Sequence, residues 1–202
     1  MNFTIFASFL VFLLWFTYER QKHSRIAEKK EEDFWNVEHK ANQTRRKNLD
    51  SLAYIEIPFD QLPIQILADD PVIAEYLETL QQLSTEKIVN LTGITNTELK
   101  LQYGVANLDS LIKYDQNYTT LARTLQVWAE KLYKESYEAE ARTILEFAVS
   151  THTDVSGSYK LLTEIYQKSG EQDKIKNLLP VAETLNSSMK NSIVHILQES
   201  CQ

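Results

Sequence analysis

The side chains best suited to chemistry are few and scattered. His152 and Asp154 stand together in STHTD, residues 150 to 154, where an imidazole and a carboxylate two positions apart suggest general acid–base work. That chemistry needs a nucleophile or a bound substrate beside the pair, and the sequence marks neither. The stretch has the polarity of a loop between two helices, which accounts for it. His195 lies among Ile193, Val194 and Ile196 and reads as a helix-surface or satisfied core residue. Cys201 is the single cysteine, with no base near it in sequence and no CxxC partner, so nothing marks it as a nucleophile. It stands second from the end, whereas a prenylation box places its cysteine fourth. No HExxH, P-loop or GxGxxG occurs. The sequence therefore predicts no enzyme, no metal, no cofactor and no small-molecule substrate.

Four Gly and four Pro in 202 residues are too few for a turn-rich all-β protein, so the chain is expected to be all-α. With 43% hydrophobic residues it can bury a core. Charge is divided unevenly. Residues 1 to 18 carry no charged side chain, residues 19 to 47 are net +3, and residues 48 to 202 are net −10. So acidic a region repels DNA, RNA and anionic lipid, which excludes nucleic acid as a partner.

The run FTIFASFLVFLLWFTY, residues 3 to 18, is uncharged and apolar on every helical face. As a helix it reaches roughly 24 Å at about 1.5 Å per residue, a little short of a bilayer core of about 30 Å. Trp15 and Tyr18 then suit an aromatic belt, and Arg20, Lys22 and Arg25 can snorkel to the headgroups. A cleaved signal peptide fits less well, because only Met1 and Asn2 precede the run and no small-x-small site follows it. Five Lys/Arg in residues 19 to 30 predict a single-pass cell-membrane protein with its carboxy-terminal domain in the cytoplasm. On that side the Asn-x-Ser/Thr triplets at Asn42, Asn90, Asn117 and Asn186 carry no meaning.

Residues 19 to 47 lack Gly and Pro and predict a charged juxtamembrane helix with an apolar stripe around Phe34 and Trp35. Residues 48 to 70 differ. Ile55, Ile57 and Phe59 alternate with Glu56, Pro58 and Asp60, the period of an extended strap, and Pro58 and Pro63 bar it from a central strand. From Pro71 to residue 121 the pattern is helical again and predicts an amino-terminal helical layer. Thr95 and Glu98 have capping-box spacing, Gly104 is placed to end that helix, and Asn107 to cap the next.

Laid on itself with a shift of 34 residues, the chain puts Leu125 on Tyr159, Trp128 on Leu162, Leu132 on Tyr166 and Ser136 on Gly170. Ala141 falls on Ile175, Leu145 on Leu179 and Ala148 on Ala182. In this register residues 122 to 187 resemble two degenerate tetratricopeptide repeats, helical hairpins with a period of about 34 residues. The resemblance implies a short α-solenoid in which Trp128 and Leu162 fill the large place of helix A, with Ala141, Leu145 and Ala148 facing it from helix B. Ser136, Ile175, Thr153 and Ser187 depart from the family pattern, and Pro180 is expected to kink or break the second helix B. Residues 188 to 202 read as a capping helix. Taken whole, the chain also resembles single-pass bacterial membrane proteins with degenerate repeats of this kind, which implies no activity.

Members of that family commonly bind peptides on the face made by their A helices. The resemblance maps this face onto Arg123, Gln126, Val127, Glu130, Tyr133 and Lys134, and onto Lys160, Leu161, Glu164 and Gln167. Glu130 and Glu164 there disfavour a carboxylate ligand by like charge. The sequence thus leads to a membrane-tethered scaffold or adaptor engaged in protein–protein interaction, holding a protein or peptide partner at the cytoplasmic face. The competing expectation is a small structural subunit of an integral membrane complex, with the anchor helix as its interface.

Overall fold

The computed structural model describes residues 3 to 201, with the side chains of residues 3 to 6 and of Ile26 outside the description. The chain is all-α. Its helices are α1 (Phe3–Asn42), α2 (Pro71–Ser84), α3 (Asn96–Tyr103), α4 (Leu108–Lys134), α5 (Glu138–Ser150), α6 (Ser156–Lys168), α7 (Gln172–Thr184) and α8 (Lys190–Ser200). Among the described residues no strand forms, and β pairing is limited to an antiparallel bridge between Tyr54 and Val89. The chain divides into two compact units. One comprises residues 1 to 47 and 96 to 106, the other residues 48 to 95 and 107 to 202.

In the first unit α1 runs for 40 residues. No Gly or Pro precedes Pro58, so nothing interrupts its hydrogen-bond ladder. It ends at Asn42, short of the expected residue 47, where Gln43 and Thr44 turn back onto the carbonyls of Lys40 and Ala41 at 3.2 and 3.1 Å. Helix α3, expected within the layer of residues 71 to 121, packs on α1. Ala41 and Leu99 are buried there. Around them Lys100 pairs with Glu38, Thr97 donates to the same carboxylate at 2.7 Å, and Lys100 reaches Asn42 at 2.9 Å. Gly104 closes α3 at φ +89°, and a Cβ there would lie 2.3 Å from the Arg45 carbonyl oxygen, so only glycine fits.

The amino-terminal part of α1 was expected to span a membrane. Among the described residues no helix is long and apolar enough to do so. The uncharged run of residues 3 to 18 extends roughly 24 Å at about 1.5 Å per residue before Glu19 and Arg20, less than a bilayer core of about 30 Å. What the run does show is exposure: Phe9, Val11, Leu14 and Trp15 are 55%, 67%, 71% and 58% accessible. At about 100° per residue these positions point to different sides of the helix, so the run is not a core helix.

The second unit is built on one apolar core. Leu121, Leu125, Trp128, Ala129 and Leu132 of α4 meet Ala141, Ile144, Leu145 and Ala148 of α5. Tyr159, Leu162 and Ile165 of α6, Ile175 and Ala182 of α7, and Ile193 and Leu197 of α8 continue the same cluster. Helix α2 adds Ile73 and Leu80 from the other side, packed on α4. Its start is fixed by a cap that follows from the residues themselves: the Asp70 carboxylate accepts from the backbone N–H of Val72 at 2.9 Å and of Ile73 at 3.3 Å, with Pro71 in the first turn. Asn107 precedes α4, but its side chain makes no capping bond. The strap lies half-buried against this core through Ile55, Ile57 and Phe59, pinned by Ile55 N–H to the Ile88 carbonyl at 2.9 Å.

The 34-residue shift reappears in the helix bounds, since α5 and α7 begin at Glu138 and Gln172 and end at Ser150 and Thr184. The turns between helices repeat as well. Ser136 has φ +69° and Gly170 φ +73°. Around Ser136, Tyr137 N–H reaches the Leu132 carbonyl at 2.9 Å and Ser136 N–H reaches that of Tyr133 at 3.0 Å. Around Gly170, Glu171 bonds to Tyr166 at 2.8 Å and Gly170 to Gln167 at 3.1 Å. Both are Schellman closures, which need a left-handed residue at this place. Gly170 has nothing within 4 Å of a built Cβ, so Gly170→Ala meets backbone strain alone. Thermal unfolding should register a loss of about 1 to 2 kcal/mol, while Ser136→Gly should leave stability unchanged or raised.

Pro180 does not break its helix. Helix α7 runs through it unbroken from Gln172 to Thr184. Pro180 is exposed, so the carbonyl one turn earlier that loses its N–H partner is on the solvated side, where water can replace the bond.

Candidate interaction surface

Helix α4 crosses the core with Leu121, Leu125, Trp128 and Leu132 inward, and its opposite stripe carries Arg123, Val127, Glu130 and Lys134. Arg123 and Lys134 are exposed, Glu130 is half-buried, and Val127 is 40% accessible. On α6, Lys160, Glu164 and Gln167 are exposed.

Gln126 and Leu161, mapped to the same face, are buried. The Gln126 carbonyl oxygen accepts from the Ser158 hydroxyl at 2.6 Å, and its amide donates to Glu130 at 2.7 Å. Gly157 makes the close approach possible, because a Cβ there would lie 2.8 Å from the Gln126 amide nitrogen. Gln126 thus joins helices instead of facing solvent. Its register position, one turn before Glu130, gave the sequence no means to distinguish the two roles.

Tyr133 and Glu164 are also joined. The Tyr133 hydroxyl donates to Glu164 at 2.5 Å, Lys168 bonds the same hydroxyl, and Lys168 reaches Glu138 at 3.3 Å. The bond to Glu164 is the main reason the Tyr133 hydroxyl is held above its ordinary pKa, and the bond to Tyr133 does the same for the Lys168 ammonium. Sequence reasoning missed Lys168 and Glu138 because the network joins α4, α5 and α6 across turns. Glu164 is thus paired with Tyr133 and with Lys168 at 3.5 Å, while Arg123, Lys134 and Lys160 are exposed.

A second network sits between α5 and α7. Arg142 holds Glu171 at 2.5 Å and Glu146 at 2.8 Å, and the Tyr166 hydroxyl donates to Glu146 at 2.8 Å. Lys131 meanwhile ties α4 to the Asp70 cap at 3.2 Å. Hydrogen bonds from Lys174 and then Arg142 hold the Glu171 carboxyl below its usual range, despite burial. Burial alone would raise Asp70, but its bonds from Lys131, Ile73 and Val72 outweigh that and lower it. A carboxylate lowered on folding stabilises above its unfolded pKa, near 3.8 for Asp and 4.5 for Glu. Stability should therefore be level through neutral pH and fall as acid titrates through the lower folded values. Asp70→Asn should flatten that acid limb in a series of melts between pH 7 and pH 3.

No group of three or more His, Cys, Asp or Glu capable of holding a metal occurs among the described residues. Comparison with protein-family models, curated proteins and solved structures returns no match.

Proposed function

We propose that the chain is a membrane-tethered adaptor of the tetratricopeptide-repeat type, fixed by the apolar start of α1 and presenting the α4–α6 face to a protein partner in the cytoplasm. The observation that carries the reading is the bare apolar run of α1, exposed around its circumference beyond what a water-soluble helix tolerates. A lipid environment removes that exposure, and the basic residues Arg20, Lys22 and Arg25 follow where headgroups lie. The recurrence of hairpin bounds and left-handed turns at one spacing supports the repeat.

Exchanging residues 3 to 18 for an unrelated membrane span tests the reading, with photo-crosslinking from Arg123 and Lys134 as the readout. An adaptor keeps the same crosslinked partner after the exchange. A subunit held in a complex by its anchor loses it, and that result would overturn the proposal.

A further inference from the structure

A cavity of about 470 Å³ opens where four segments of the second unit meet: the strap at Tyr54, Asn90 to Thr92, the α5–α6 loop, and the α7–α8 loop. Its volume is in the range of small-ligand sites. The loops are fixed before anything binds. The Asn90 amide donates to the carbonyls of Thr151 and His152 at 3.0 and 3.1 Å, and the Asn186 amide donates to that of Gly93 at 3.1 Å. Gly93 sits so close that a Cβ would lie 1.8 Å from the Asn186 carbonyl oxygen. His152 is held at φ +57°, a conformation that few non-glycine residues adopt.

Asn90, Asn186, Ser150, Thr184 and Ser187 all spend donors on the protein itself. Asp154 is the carboxylate among the lining residues, beside the Asn186 amide and the His152 ring. Asp154 is half-buried, no Lys or Arg lines the cavity, and its bond at 2.6 Å from Ser187 occupies Oδ2, leaving Oδ1. Two buried phenols lie within its field. Burial, with the Asp154 charge adding to it, pushes Tyr118 up to about 12, and the Tyr159 hydroxyl has no partner. A half-buried carboxylate is screened less than a fully exposed one and attracts a cation.

We propose that this cavity binds a primary alkylammonium group. A guanidinium prefers two parallel carboxylate oxygens, and here Ser187 holds one of them. A divalent metal needs more ligands than the site provides. An ammonium carries three donors without a fixed fork and suits separate acceptors, while Ile55 and Leu185 give its alkyl chain an apolar wall. The group can arrive on a free amine or on a lysine side chain of a docked peptide.

Titration of the full chain in detergent micelles, followed by amide chemical shifts, tests the proposal. n-Butylammonium should give saturable shifts confined to the four segments, and butyrate none. Nα-acetyl-lysine methylamide, run in parallel, distinguishes the sources: tighter saturation than butylammonium indicates a lysine side chain, weaker a free amine. Asp154→Asn should weaken butylammonium by about tenfold or more, the scale of one charge-assisted hydrogen bond. Ser187→Ala, which frees Oδ2, should keep or improve the affinity. Equal shifts with neutral n-butanol would overturn the proposal, as would an unchanged Asp154→Asn. A matching loss in Ser187→Ala would do so too, because loop integrity and not charge would then govern binding.

Discussion

Trp128→Ala should lower the stability of the helical unit by about 3 to 5 kcal/mol, the cost of deleting a large aromatic from a closed core. Trp128 is fully inaccessible in the carboxy-terminal half of α4, inside the cluster shared with α5 and α6. For a unit of this size the loss corresponds to roughly 6 to 20 °C in Tm. The indole N–H has no hydrogen-bond partner, so the loss is one of packing and not of a bond. Trp128→Phe should therefore recover much of the stability, since it keeps a ring and removes a buried, unpaired donor. Differential scanning calorimetry of the two variants reads both effects, and an unchanged Tm for Trp128→Ala would remove α4 from the centre of the core.

The largest effect on location should come from Val11→Lys combined with Leu14→Lys. Both positions are exposed, at 67% and 71%, so the substitutions disturb no packing within the protein. Each lysine within a membrane-inserted helix costs about 3 kcal/mol near the centre of the bilayer. Together they should move the chain from the membrane fraction to the soluble one, with the helical melt of the second unit unchanged. A variant that stays in the membrane fraction would show that another surface holds the protein there.

Much of the fold was legible because its causes are local. Pro71 announces the start of α2, and the Asp70 carboxylate caps it in the structure. The spacing of Leu125, Trp128 and Leu132 gives the buried face of α4 through helix periodicity alone. Ser136 and Gly170 share a register position, and both take the left-handed conformation that closes a helix. What stayed hidden depends on partners distant in sequence. Helix α3 packs on α1 through Leu99 and the Lys100 to Glu38 pair, residues about 60 positions apart, as the 62-residue separation of that pair shows. Gln126 is buried because Gly157 lets Ser158 approach it, which no pattern within α4 predicts. Pro180 shows the opposite limit. Its helix-breaking tendency is a property of the residue, and an exposed position inside an otherwise well-packed helix overrides it.

The cavity at the loop cluster was legible only in part. His152 and Asp154 stood out as a polar pair, and loop composition accounted for them. Their meeting with Asn90, Asn186 and the strap is a product of the fold, since Asn90 and Thr151 are 61 positions apart. The α4–α6 face follows the same rule. The charged positions were assigned by register, but which charges remain free was decided by the bonds that Tyr133 and Lys168 make to Glu164 and Glu138.

Protease protection of the native chain in intact cells tests the central claim most directly, because anchoring and orientation are read in one gel. After alkaline carbonate washing the protein should remain in the membrane pellet. Protease added outside intact cells should leave residues 48 to 202 undigested, and opening the membrane should expose them. Release by carbonate, or digestion of that region from outside, would contradict the account.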